Sequence, residues 1–376
     1  MRNPMNLVSR YSMNRWLLMT FAAAIISACH HAPVQAQSSG NSERCLEVSL
    51  TGTQGGPPQV GSLAGPGTLV RFGTKENNCS DIILQFDSGR NTVGRLSELG
   101  VSVKNLDAVF YTHMHSDHTE GLSSLLLLRW HFFGGPLDIV CSADSAVPQQ
   151  PVPRTMSCES FVAHIADAFI ASGEIAQRYA ESNKRHPDGP SHLANLKTVD
   201  LPLPDRPGHV VWEKGDVLVT AVASRHIPGH LSFRVDSPAG SVVIGGDAGN
   251  NVPTPPRDFS TSVAVERLSK DADILVHSVI HPVFRPGNGS AFPAVPYYRQ
   301  SAAGDLGAMA KRAGVKQLML THLIPSLDTT HHGPFEIPGG PLSAVDFDTA
   351  VRSSGFDGEV HVGTDMLTIR LLEFQK

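Results

Sequence analysis

The sequence offers no basic run. Its 30 Lys and Arg stand against 35 Asp and Glu, a formal net charge of −5 at pH 7. Nothing in that balance gives the electrostatic footprint of a nucleic-acid binder. Long apolar runs are missing too. The stretch from Trp16 to Ala28 is short of the about 20 residues that a membrane span needs. Cysteine is sparse, at five in 376 residues. None of the four after Cys29 sits with a ligand histidine at metal-binding spacing, which argues against a cysteine-type zinc site. What remains is an ordinary globular composition, 41% hydrophobic and 17% charged, enough for one large domain or two small ones. Glycine (34) and proline (27) are plentiful and imply many turns and long loops. Eighteen histidines exceed what packing needs.

The first residues read as a targeting segment. Arg2, Arg10 and Arg15 precede the apolar run, and Cys29 follows it. Ile26-Ser27-Ala28-Cys29 resembles a bacterial lipobox, which would make Cys29 a lipid anchor. A rival cleavage follows Val34-Gln35-Ala36 and would release a soluble protein. Residues 1–36 are therefore expected to be a signal peptide. The mature chain is expected in the periplasm, either free or as a lipoprotein. Such a compartment is oxidising. Four cysteines remain after Cys29, which allow three pairings. Sequence proximity favours Cys45–Cys79 and Cys141–Cys158.

One stretch organises the rest, Thr112-His113-Met114-His115-Ser116-Asp117-His118. It follows the apolar run Leu106–Tyr111, which reads as a buried strand. A core would not hide so many polar side chains without partners, and the spacing fits two metal ions side by side. Later apolar strands end in the same way. Val217–Val222 leads to His226 and His230, Ser241–Ile244 to Asp247, Ile274–Val276 to His277, and Leu318–Leu320 to His322. Strand ends are where side chains from several strands converge on a ligand. Asp87 closes the strand Ile82–Phe86. It reads either as the partner of a metal-binding histidine or as the N-cap of a helix over residues 90–99. Helices are expected over Leu122–Trp130 and Ala303–Ala313, and strands alternating with helices point to an α/β layered fold. Residues 144–209 read as a helical and loop insertion within a single domain over 45–376, and its helix is either a lid over the site or a side-packed element.

These residues resemble the metallo-β-lactamase superfamily of hydrolases. The matches are His-x-His-x-Asp-His, a lone histidine after a strand, Gly245-Gly246-Asp247, and Thr321-His322. Gly52-Thr53, Asp87-Ser88-Gly89 and Ala272–His277 are similar to the branch of ribonuclease Z and the metallo-type arylsulfatases. The resemblance implies a four-layer αβ/βα sandwich with two zinc ions at one sheet edge. His113, His115 and His226 would hold the first zinc. Asp117, His118 and His322 would hold the second, with Asp247 bridging. His226 is preferred to His230 because relatives leave about six residues between this ligand and the next strand, an offset that His226 keeps. His230 is then a candidate substrate contact. The family's ribonuclease Z carries a histidine where this chain has Gln300.

Two metals about 3.5–4 Å apart would activate a water for attack. Asp117 would also orient or deprotonate that nucleophile, and His277 would either donate a proton to the leaving group or serve as a structural histidine behind the metal ligands. The expected substrate is a small phosphoester or aryl sulfate, with a β-lactam or lactone as the runner-up. Gln300, the export signal, the missing basic arm and the acidic charge rank tRNA 3′ processing lower and lead to an expectation of no nucleic-acid partner. Metal binding without catalysis ranks last.

Overall fold

A computed structural model describes residues 43–147, 154–181, 192–203 and 208–373. The expected signal peptide and Cys29 lie outside the described residues. Two seven-stranded sheets form the centre. The first holds β1 (Arg44–Gly52), β2 (Gly67–Thr74), β3 (Ile82–Phe86), β4 (Ala108–Phe110) and β5 (Leu137–Ser142). A small antiparallel pair follows, β6 (Ser145–Val147) with β7 (Arg154–Met156), before β8 (Ala194–Val199) rejoins the first sheet. The second sheet holds β9 (His209–Lys214), β10 (Val217–Ala223), β11 (Leu231–Ser237), β12 (Gly240–Ile244), β13 (Ile274–Ile280) and β14 (Gln317–Ile324). After a two-residue ribbon, β15 (His331–His332) with β16 (Phe335–Glu336), comes its last strand, β17 (Glu359–Val362). The final strand, β18 (Thr368–Leu372), returns to the first sheet and pairs antiparallel with β1.

Each sheet is antiparallel on one side and parallel on the other. β3, β4, β5 and β8 run parallel, as do β12, β13, β14 and β17. Parallel strands need crossovers that cover the sheet face, so the central strands β3, β4, β13 and β14 are buried on both sides, while the edge strands β8 and β17 stay partly exposed. Side chains alternate accordingly. Ile82, Leu84 and Phe86 of β3 point between the sheets, whereas Ile83 packs outward. On β13, Ile274 and Val276 face inward and Leu275 outward. Phe110 joins the two sheets. Its ring stacks on Phe86 with centroids 4.6 Å apart and meets Phe233 of the second sheet edge-on at 5.5 Å.

Helices complete the four layers. α1 (Thr92–Glu98) follows β3, and the single turn α2 (Ser116–Thr119) leads into α3 (Leu122–His131). α3 buries Leu122, Leu125, Leu126 and Trp130, the one-face spacing of an amphipathic helix. α4 (Cys158–Ile170) and α5 (Glu174–Glu181) also pack on the first sheet, through Val162 and Ile175. On the second sheet lie α6 (Val263–Leu268), α8 (Ala303–Ala313) and α9 (Ala344–Arg352), with α7 (Ala294–Arg299) near the site. α8 has the bounds read from the sequence, because Gly314 at φ 72° provides the left-handed stop that glycine favours. The α/β sandwich is the expected architecture.

The stretch read as an insertion divides in two. β8 pairs in parallel with β5, Leu137 opposite Ala194 through Ser142 opposite Val199, so it is a strand of the main sheet. α4 and α5 pack on that sheet's outer face, and no described residue of 144–209 lines the cavity beside the metal-type cluster. The side-packed reading is therefore the observed one, and the lid reading is corrected. The cysteines pair as proximity favoured. Cys45–Cys79 ties β1 to the turn after β2, and Cys141–Cys158 ties β5 to α4.

Candidate metal centre

The centre begins where β3 and β4 end. Asp87, at φ 53°, turns its carboxylate back across β4. Its Oδ1 accepts the Thr112 N–H at 2.8 Å. Its Oδ2 accepts the Thr112 hydroxyl and the His118 Nδ1–H, each at 2.8 Å. Helix α1 starts instead from Asn91, which makes no side-chain cap. Asp87 is thus the partner of a site histidine and not a helix cap. With Nδ1 protonated, the lone pair of His118 sits on Nε2. That atom is buried and has no hydrogen-bond partner.

The chain turns sharply after His115, the extended residue before α2, and the turn brings Asp117 and His118 back over the strand ends. His113 Nε2 lies 3.0 Å from His115 Nδ1, and His226 Nε2 lies 3.3 Å from the same atom. His322 Nε2 lies 3.3 Å from Asp117 Oδ2 and 3.2 Å from Asp247 Oδ2. The Gly56 N–H donates to His322 Nε2 at 3.1 Å. Three groups of donors converge with their ligand atoms within 4.8 Å of one another: His113 with His115 and His226, His113 with His118 and Asp247, and Asp117 with His118 and His322. Asp247 Oδ1 is buried without a partner. Two buried partnerless atoms, His118 Nε2 and Asp247 Oδ1, are costly in a core and, among so many converging imidazoles and carboxylates, fit a bound cation, so the residues present suit a metal.

The charge states of His113, His115, His226, Asp117 and Asp247 agree with that fit, whereas His118 would have to give up its Nε2 proton to a cation. Burial pushes the His113, His115 and His226 imidazoles down, His226 to about 3, which keeps them neutral and able to ligate. Burial opposes ionisation of Asp117 and Asp247 as well, but facing imidazoles outweigh it. Asp117 is drawn down to about 2, mainly by His118 and His322. Asp247 lies well below the usual carboxylate range through His322 and His118. For His118 burial again opposes charge, while Asp247, Asp117 and Asp87 raise its pKa well above the ordinary value.

One expected role is corrected here, that of His230, and the two readings of His277 are decided. His230 is 1% exposed and both its nitrogens are engaged. Its Nε2 accepts the Asp247 N–H at 3.1 Å, which leaves Nδ1–H to donate to Ser224 Oγ at 2.8 Å. Ser224 then donates to Ser232 Oγ at 2.7 Å, and Ser232 to the Gly245 carbonyl at 2.7 Å. His230 pins the loop that carries Asp247 and is not a substrate contact. His277 is wholly buried in β13, and its Nδ1–H donates to the Ser278 carbonyl at 2.7 Å. A Cβ on Gly245 would lie 2.2 Å from its Cδ2, so Gly245 makes the room it occupies. It lines no part of the cavity, which removes it as a proton donor to a leaving group. Gln300, by contrast, reaches the centre. Its Nε2 donates to Asp247 Oδ2 at 3.2 Å, and its Oε1 accepts the Ser278 hydroxyl at 3.2 Å.

A cavity of about 660 Å³ opens beside the cluster. His115, Asp117, His226, Asp247 and His322 form one side. The other is built by Phe292, His332 and Phe335, the Pro57-Pro58 turn and Arg299. No motif marked these residues, because they come from three segments far apart in sequence and carry no shared periodicity.

The chain resembles known proteins along nearly its whole length. The family described as anti-Pycsar protein Apyc1 matches residues 77–146. A ribonuclease Z from Mycobacterium sp. (strain KMS) is 30% identical over 324 residues, covering 85% of this chain and 94% of the relative. Among solved structures, human tRNase Z, short form, superposes with a TM-score of 0.54 at 17% identity, covering 86% of this chain and 98% of the other. The metallo-β-lactamase fold protein YhfI from Bacillus subtilis superposes with a TM-score of 0.53 at 18% identity, covering 87% and 99%. The ribonuclease relatives overturn the ranking that placed small phosphoesters, aryl sulfates and lactams above RNA, together with the expected absence of a nucleic-acid partner. Net charge and linear runs misled because they say nothing of where cations fold to. Arg299, isolated in sequence, stands on the cavity wall.

Proposed function

We propose a reaction for this protein from one premise: the chain belongs to the ribonuclease Z branch of the metallo-β-lactamase superfamily. The reaction is hydrolysis of an RNA phosphodiester, with a 3′-extended precursor tRNA as substrate. The observation that carries it is 30% identity to a ribonuclease Z across 94% of that relative, joined to a buried cluster of imidazoles and carboxylates. Zinc suits that donor set. We assign His113, His115 and His226 to one ion and Asp117, His118 and His322 to a second, with Asp247 between them. When bound, such ions supply Lewis acidity that activates water and offsets the charge on phosphate oxygens.

The protein's own groups then have distinct tasks. Asp87 fixes the His118 tautomer, so Nε2 faces the site before any ligand arrives. The His230, Ser224 and Ser232 chain holds the backbone of Asp247 in place. Gln300 holds one oxygen of that carboxylate and leaves the other free. Asp117, held ionised by His118 and His322 and lining the cavity, is placed to orient the attacking water.

A 3′-extended precursor tRNA incubated with the purified chain tests this reading. One cut near the acceptor end is expected, and Asp247→Ala abolishes it along with metal binding. An intact precursor at saturating zinc, with the protein folded by circular dichroism, would refute it.

A further inference from the structure

The cavity wall facing the metal-type cluster has its own chemistry. His332 and Phe335 stand opposite each other on the β15–β16 ribbon. Gly333, at φ 58°, makes its turn. Phe292 meets Phe335 edge-on at 5.2 Å and stacks on Phe284 at 4.7 Å. The His332 ring lies 6.0 Å from Phe292 and 6.0 Å from Phe284. This aromatic group is anchored in a separate apolar cluster with Ile280, Ile324 and Ile337. Its position is therefore set by packing and not by a free loop.

The aromatic wall carries no carboxylate and no amine. A phosphate pressed against it would lose water and gain no partner. A nucleobase would gain instead, because its flat face stacks on aromatic rings. Two further features suit a nucleotide. His332 is 5% exposed, and its Nδ1 is buried without a hydrogen-bond partner, a free polar atom within the wall. Arg299 lines the same cavity, is exposed, and has no ion pair or side-chain hydrogen bond among the described residues. A guanidinium so placed suits the phosphate next to a stacked base.

We propose that the wall formed by Phe292, His332 and Phe335 is a subsite for one unpaired nucleobase beside the scissile phosphate, with Arg299 on the neighbouring phosphate. The proposal rests on the ribonuclease reading and names how that substrate enters. Its test is binding, read separately from cleavage. The full chain as purified is titrated into a fluorescein-labelled RNA tetranucleotide protected by phosphorothioate linkages, and anisotropy gives Kd. The same RNA with one abasic nucleotide is the comparison. Loss of the base and Phe335→Ala should each raise Kd by roughly 5- to 150-fold, the two losses should not add, and Phe335→Tyr should restore binding. Equal Kd for intact and abasic RNA, additive losses, or no binding of the intact RNA overturns the subsite. Cleavage of precursor tRNA by the same preparation separates the two readings. Base-dependent binding without cleavage supports the subsite and refutes the nuclease. Cleavage with base-independent binding does the reverse.

Discussion

Asp87 spends three hydrogen bonds on two residues, Thr112 and His118. Asp87→Ala removes the acceptor that selects the His118 tautomer. Metal affinity should fall roughly 10- to 100-fold by competition with a chelator, while cavity residues keep their places. Unchanged affinity would mean that His118 needs no such partner. His332 gives a second test at this scale. Burial pushes its pKa down to about 4, below the ordinary value near 6.5. The neutral ring is the folded form. Its contribution to stability is complete above pH 6.5 and is lost as the pH falls through 4, by roughly 3 kcal/mol in all. His332→Phe should therefore lose less stability than wild type between pH 7 and 4.5 in urea unfolding. Identical pH slopes would count against it. Ligand-type residues were legible where they follow one another, as in His113–His118. The roles of His230 and His277 were not legible, since burial and partner atoms decide them and neither is written in spacing.

At the level of elements, strands read well where they are apolar throughout. β3 and α8 keep their sequence-read bounds. β8 did not read as a strand, because at the sheet edge it alternates exposed and half-buried residues and carries Asn195, Lys197 and Thr198. The sequence around it therefore looked like an insertion. Tertiary pairing with β5 overrides that composition. The Cys141–Cys158 disulfide links the same region to the sheet. Cys141→Ser with Cys158→Ser should cost about 2–4 kcal/mol by chemical denaturation. Hydrogen exchange in α4 and α5 should quicken first, ahead of β13. Protection that declines evenly over the whole chain would contradict a local tether.

At the largest scale, the described residues form two main sheets joined through one apolar interior, with the site on their shared edge. Phe110 spans that interior, so Phe110→Ala should cost about 3–5 kcal/mol. The metal-type cluster needs both sheets. β4 leads into His113 through His118, and the second sheet supplies His226, Asp247 and His322. Loosening the interior should therefore weaken metal binding at a distance from any ligand. Sequence patterning made this layered fold legible, because fully apolar strands ending in His or Asp need cover on both faces and a common edge. It left the substrate illegible, because the wall that faces the cluster is assembled only by folding. The most direct test of the account is a metal titration of the chelator-stripped protein, read by cleavage of a 3′-extended precursor tRNA. Activity should rise with added zinc and level off at two equivalents per chain. A plateau at one equivalent, or no cleavage at any zinc level from a folded protein, would contradict it.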